Sequence, residues 1–426
     1  MVKCWLFVIG LLSLQQLPAQ DLLKQYVQRE TKAIRSNQPD SLDFTDLDVI
    51  GNAIGNSRII MLGEQDHGDA PAFLAKTRLI KYLHEKKGFN VLAFESDFFG
   101  LNKGWDKLPK EKRLTDSFLM KNIFPIWTFC DACADLFYKY IPATQQTTTP
   151  IQMTGFDNQM VLSYSGKNLS KQVDSILRLY DLPITKEANY ITGILPLIDS
   201  LKKYKMADTT QYQPQYEYLL RIKKELSAKL AADDFWMMII DNLISENIQY
   251  RDSKDYIFRS NTRDLQMAKN LEWLAKKKYP QEKIIVWAHN YHISKYSGHY
   301  EQRFRDRSVT MGTIFDATDL SSQTYTLGFT SYEGTAGRLS TKPYKVPKPA
   351  KKSFENWINK DYAFAFTDFK TFNLANPGYG ERFKMKGSVG VHHATQEAEW
   401  HKIFDGIFFV RTMYPCVSNL ITYKRN

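Results

Sequence analysis

The chain has 426 residues, 43% of them hydrophobic and 24% charged, the composition of a soluble globular protein with a core of several layers. Its formal charge of +11 bears on solubility and steering more than on function. The lysines are scattered, without the interleaved aromatics of a nucleic-acid groove, so no nucleic-acid partner is expected.

The chain opens with Lys3, an apolar run from Trp5 to Leu14, and then Pro18-Ala19-Gln20-Asp21. A short positive end, a brief apolar stretch and a small residue describe a signal peptide over residues 1–20, cleaved after Ala19 or Gln20. Residues 21–426 are then periplasmic or secreted. The apolar run is too short to span a bilayer, and no later segment is apolar for long enough, so no stable membrane insertion is expected. Beyond the leader stand Cys130, Cys133 and Cys416. Three cysteines do not make a disulfide framework, and Cys130 and Cys133 read as small buried residues.

Four segments share a pattern of an apolar, β-branched run that stops at a polar residue. Arg58 to Gly63 runs into Glu64 and His67, and Asn90 to Phe94 into Glu95. Ile151 to Phe156 runs into Asp157, and Lys283 to Ala288 into His289 and His292. Runs of this kind read as strands buried on both faces of a parallel sheet. Pro71 to Lys87 reads as a helix with Phe73, Leu74, Thr77, Ile80 and Leu83 on one face, ended by Gly88. Strand, helix, strand is a βαβ unit. The fold class expected is α/β, a mainly parallel central sheet with helices on both faces. Residues from about 167 to 250 look helical throughout and form an insertion, and Asp255 to Lys278 is a further long helix. Thr324 to Thr330 and Gly406 to Arg411 are additional strand candidates. Residues 336–400, with Pro343, Pro347, Pro349 and Pro377, show no reliable periodicity and read as loops with short elements.

In open parallel sheets ligands bind beyond the carboxyl ends of the strands. That topology gathers Glu64, His67, Glu95, Asp157, His289 and His292 into one crevice from distant parts of the chain. No Gly-x-Ser-x-Gly elbow, phosphate-binding loop or dinucleotide fingerprint is present, which leaves imidazole and carboxylate as the chemical toolkit. A neutral imidazole can take a proton from water, and a carboxylate on its other nitrogen fixes the tautomer. A second histidine could polarise or protonate the ester oxygen. The same groups could instead hold a cation, through Glu64-x-x-His67 and His289-x-x-His292.

Leu62-Gly63-Glu64-Gln65-Asp66-His67-Gly68 resembles the Gly-Glu-x-x-His-Gly segment of the erythromycin esterase family. Phe94-Glu95, Gly155-Phe156-Asp157, Arg263 to Asn270 and Trp287 to His292 resemble its later blocks, in the same order. The resemblance implies one catalytic domain over residues 21–426 that hydrolyses the lactone ester of macrolide antibiotics, with His67 as general base. It implies Glu64, Glu95 and His289 as residues that orient the base, contact substrate or assist the leaving group, with His292 and Arg263 as further members. The reaction expected is metal-free and without cofactor, on a macrolide-like small molecule, and confers macrolide resistance. Lys76 stands where relatives carry an arginine, which puts any bidentate contact there in doubt, while Arg78 matches a basic position of the family. Lys76, Arg78, Asp157, Arg263 and His292 are therefore the substrate-binding candidates.

His299, His392, His393 and His401 fall in loop-like sequence and read as surface. Trp127, Tyr291, Phe98 and Phe99 neighbour the site strands and are candidates to line a pocket for a large apolar ring. Two other classes compete with the esterase: a metal-dependent hydrolase or peptidase of the cell envelope, and a non-catalytic binding protein for a porphyrin or glycan.

Overall fold

A computed structural model describes residues 19–200, 209–251, 255–295, 308–387 and 392–418. The expected signal peptide lies outside this set except for its last two residues, which begin helix α1 (Ala19–Glu30). His299 is also outside it. In chain order the strands are β1 (Lys32–Ile34), β2 (Ile59–Leu62), β3 (Phe89–Asp97), β4 (Gln152–Asp157) and β5 (Lys283–Trp287). They continue as β6 (Thr324–Ala336), β7 (Tyr344–Val346), β8 (Phe364–Asp368), β9 (Phe383–Met385), β10 (Gln396–Ala398) and β11 (Gly406–Met413).

Nine of these strands form one sheet in the order β1-β8-β11-β6-β2-β5-β3-β4, with β7 pairing β6. The run from β11 to β4 is parallel throughout. β8 and β1 extend one edge antiparallel. β9 and β10 make a separate small ribbon.

Why continuous apolar runs make this sheet is visible in its side chains. Ile60 and Leu62 of β2, Leu92 and Phe94 of β3, and Ile285 and Trp287 of β5 face one apolar layer. Their neighbours Ile59, Met61, Val91, Ala93, Ile284 and Val286 face the other. Both faces are covered, so the period of two that marks a half-exposed strand is absent.

Helix α2 (Ala70–Lys87) covers the first face. It is buried on nearly all sides, Lys76, Arg78 and Lys81 included, so the single apolar face expected for it is not what the structure has. Gly88 ends it at φ +72°, its N–H donating to the Leu83 carbonyl, a left-handed cap that favours glycine. Residues after β4 supply α3 (Ser163–Leu179), α4 (Tyr212–Ser227) and α5 (Phe235–Arg251), which enclose an apolar cluster of their own. Phe98 and Phe99 belong to that cluster and are fully buried, so neither lines a pocket. α6 (Tyr256–Trp273) packs on the second face and leads to β5, after which comes the single turn α7 (Asn290–Ile293).

Two further expectations change. Cys130 and Cys416 form a disulfide, while Cys133 is a buried free thiol. The partners lie 286 residues apart, so spacing carries no sign of the pairing. The segment after β11 folds back beside the loop that holds Cys130, with Asp131 N donating to the Val417 carbonyl at 2.9 Å. His393 and His401 are buried rather than on the surface, because the short elements of residues 336–400 pack against the sheet. No helix among the described residues is long and apolar enough to cross a membrane.

Candidate active site

Register sets the site. Leu62 pairs with Trp287, and Trp287 with Phe94, so β2, β5 and β3 stop at one level. The polar residues that follow stand side by side. β5 lies between β2 and β3 while the next strand, β6, lies across β2, which makes this the switch point of the sheet.

Glu64 and His67 sit in the short loop between β2 and α2. His67 Nδ1 lies 3.1 Å from Glu64 Oε1. With the carboxylate accepting, Nδ1 carries the proton and Nε2 presents a lone pair. The His67 side chain is 14% exposed and lines a cleft of about 260 Å³. Its ring is held edge-on by Trp127 and His289, at centroid distances of 5.2 and 5.1 Å.

Glu64 is completely buried. Trp127 Nε1 donates to its Oε1 at 3.3 Å, and Lys76 Nζ pairs with its Oε2. Lys76 is as buried as Glu64 and lies 4.0 Å above the Trp287 ring. Burial lowers its pKa, against the pull of Glu64. Lys76 therefore reaches no ligand. It neutralises the carboxylate that holds His67.

Asp66, the residue before His67, is a participant that sequence reasoning passed over. Its Oδ1 accepts the backbone N–H of His67 at 2.8 Å and Arg338 Nε at 2.7 Å, and its Oδ2 accepts Tyr344 Oη at 2.9 Å. Burial opposes its charge, yet Arg338 and His392 hold its pKa at about 2.

A second network lies on the other side of the cleft. Arg263, from α6, grips Asp157 with Nε at 3.0 Å and Nη2 at 2.7 Å, and Nη2 reaches Glu95 Oε1 at 2.9 Å. Glu95 Oε2 accepts the backbone N–H of His289 at 3.0 Å. His292 sits between Glu95 Oε1, 3.2 Å from its Nε2, and Asp264 Oδ1, 2.9 Å from its Nδ1. Burial works against its charge, but Asp264 and Glu95 outweigh that and raise its pKa to about 10. Glu95 meets the same opposition from burial, and His292 and Arg263 hold its pKa well below the carboxylate norm. Asp264, next to Arg263 in the helix, is a second participant that sequence reasoning passed over. Asn270 fixes α6 to the sheet, donating to the Phe156 carbonyl at 2.9 Å.

His289 is in the cleft beside His67, but both its ring nitrogens are engaged. Nδ1 accepts the Tyr291 N–H at 3.0 Å and Nε2 donates to the Gln65 carbonyl at 2.9 Å. Burial and then the neighbouring His67 and His292 push its pKa well below the usual imidazole value. The expectation that a second histidine polarises or protonates the ester oxygen thus loses its free N–H in both His289 and His292. The cation reading is also short of ligands, since Glu64 and His289 are committed to other partners. Among the described residues no three His, Asp or Glu groups of the cleft bring ligand atoms within 4.8 Å of one another.

Arg78 is the clear correction. It points away from the cleft and makes a bidentate pair with Asp46, at 2.9 and 2.7 Å, while also donating to the Ser36 and Ser41 carbonyls. Its charge anchors the segment between β1 and β2. Of the expected lining residues Tyr291 does line the cleft, together with Tyr256, Ile257, Ser260, Ser308 and His392, whereas Trp127 is buried behind His67.

An open, mainly parallel sheet with an oriented imidazole and a charged network at its switch point is the layout of an α/β enzyme site. Comparison with known proteins narrows the class. The erythromycin esterase family profile matches residues 84–413, a span that contains Glu95, Asp157, Arg263, His289 and His292 and begins after His67. The chain belongs to the erythromycin esterase family and is a hydrolase of that family. It is 26% identical over 402 residues to the Bacillus subtilis (strain 168) protein named "Putative hydrolase YbfO", covering 87% of each chain. To erythromycin esterase type I of Escherichia coli it is 24% identical over 292 residues, 61% of this chain and 67% of that one. Among solved structures, a Bacillus cereus protein superposes with a TM-score of 0.72 at 16% identity, over 93% of this chain and 98% of that chain. A mutant of the erythromycin esterase EreC in its open conformation superposes with a TM-score of 0.69 at 20% identity, over 91% and 98%. These two structures share the fold described above.

Proposed function

We propose that this protein opens the lactone ester of macrolides such as erythromycin by adding water, and so confers macrolide resistance. The observation that carries the reading is His67, with Nδ1 held by Glu64 and Nε2 unpartnered in the cleft among the described residues. A water bonded to Nε2 gives up a proton as its oxygen adds to the acyl carbon. The imidazolium formed is stabilised by Glu64, and its proton passes to the leaving alkoxide. No covalent acyl-enzyme is needed. Glu95, Asp157, Arg263 and His292 hold the opposite wall rigid, and Tyr256 and Tyr291 offer apolar faces to a large ring.

The enzyme acts outside the cytoplasm, in the periplasm or beyond. The leader-like sequence supports this, as does the Cys130–Cys416 disulfide, because such bonds persist in oxidising compartments. Incubation with erythromycin and mass spectrometry is the test. Addition of one water by the wild type and none by His67→Ala is the expected result. Equal turnover by the folded variant would remove His67 as the base, and an unchanged mass with the wild type would remove the named substrate.

A further inference from the structure

Water addition to an ester places negative charge on the former carbonyl oxygen, and the groups named above are poorly placed to receive it. His289 and His292 have both ring nitrogens engaged, and Lys76 is sealed beneath Glu64. Nε and Nη2 of Arg263 are held by Asp157 and Glu95, two carboxylates that already balance its charge.

Arg338 differs in each respect. It lines the same cleft as His67 and its side chain is 35% exposed. Among the described residues only its Nε–H is engaged by a side chain, the 2.7 Å bond to Asp66, which leaves Nη1 and Nη2 for a ligand. The same carboxylate oxygen takes the His67 backbone N–H, so the guanidinium and the base are referenced to one atom. Their backbones also touch. A Cβ on Gly68 would lie 2.1 Å from the Gly337 carbonyl oxygen and 3.0 Å from Arg338 Cα, so two glycines let the loops meet with nothing between.

We propose that Arg338 is a catalytic residue of this site, its Nη1 and Nη2 groups binding the ester carbonyl oxygen and the oxyanion that forms from it. The proposal rests on the hydrolytic reading above and names the group that reading lacks. As the water oxygen bonds to the acyl carbon, the carbonyl π pair moves to oxygen and the water proton moves to His67 Nε2. On collapse that pair restores the carbonyl, the bond to the alkoxide breaks, and the alkoxide takes the proton from His67. The products are the acid and the alcohol, and Arg338 exchanges no proton. Charge-assisted donors aimed at a developing oxyanion are among the strongest single aids to acyl transfer.

The test is Arg338→Gln beside Arg338→Lys. Loss of one oxyanion donor lowers kcat by about 10²- to 10³-fold. We expect that loss in Arg338→Gln with KM nearly unchanged, a smaller loss in Arg338→Lys, and partial recovery of Arg338→Ala by added guanidinium. If Arg338 served only to hold Asp66, KM and melting temperature would move together and the Lys variant would behave as wild type; that pattern overturns the proposal. A readout without turnover separates it from the macrolide reading. Calorimetry with methyl phenylphosphonate, a tetrahedral anion, is expected to show binding to the wild type that falls at least tenfold in Arg338→Gln. Equal phosphonate affinity in the two, including none in either, overturns the assignment. Wild-type binding and loss in the variant, with erythromycin left intact, would instead count against the macrolide alone.

Discussion

Replacing Lys76 by Met tests the deepest part of the site. Lys76 and Glu64 are both fully buried and paired, so removal of the ammonium leaves a carboxylate with only His67 and Trp127 for partners among the described residues. Breaking a buried pair at one end costs about 3–5 kcal/mol. With an unfolding entropy of roughly 2.1 cal/mol/K per residue, that loss lowers the melting temperature of a chain this size by about 3–6 °C. The uncompensated charge is relieved by a proton bound in the Glu64–His67 pair, on the carboxylate or on the ring, and in either form Glu64 and His67 no longer act as acceptor and base. Turnover should therefore fall, with the acidic limb of the pH–rate profile moved to higher pH. Glu64→Gln/Lys76→Met, which removes both charges, should recover at least half of the lost stability but none of the activity. Thermal scans and initial rates across pH measure both effects. If Lys76→Met melts with the wild type and its profile is unmoved, the claim that Lys76 sets the charge of Glu64 is wrong.

Arg78→Met should cost about 1–3 kcal/mol, since Asp46 keeps the Arg35 backbone N–H at 2.8 Å, with KM for substrate unchanged in the folded fraction; a raised KM would return Arg78 to the binding site. Asp264→Asn tests the state of His292, whose pKa stands at about 10 in the folded protein. Because that value is raised, the protonated histidine contributes its full stability below the unfolded pKa of ~6.5 and loses it as pH rises through the folded value. The wild type should lose melting temperature from neutral pH towards pH 10 and Asp264→Asn should lose less, while parallel curves would sink the assignment. Reduction of the Cys130–Cys416 bond should lower stability by ~2–4 kcal/mol in urea titrations. An unchanged midpoint, with the thiol count shown to have risen, would say the bond is idle.

The strands that build the site were legible because a sheet covered on both faces needs uninterrupted apolar residues. Ile59 to Leu62 and Lys283 to Trp287 stand out for that reason alone. The antiparallel strands were not legible. β1, β7, β9 and β10 have three residues each, too short to show a period, and β8, with five, lies among residues 336–400, where prolines were the signal. At the site, the residues at strand ends could be gathered from topology, and the structure brings Glu64, His67, Glu95, Asp157, His289 and His292 together around the cleft with Arg263. What sequence could not assign was function within the cluster. Lys76 and Arg78 are two positions apart on one helix, yet one ends under Glu64 and the other on Asp46, a difference set by which side of α2 meets the sheet. Arg338 and Asp66 were invisible as a pair because contact between two loops, not periodicity, unites them.

The hydrogen bond from Cys416 N to the Gly68 carbonyl, 2.9 Å long, joins the disulfide to the residue that follows His67. The loop that carries His67 therefore closes against a segment that follows β11 in the chain. A nascent polypeptide that has emerged only through β11 carries its imidazole on a strand-end loop still without the bonds from Tyr414 and Cys416.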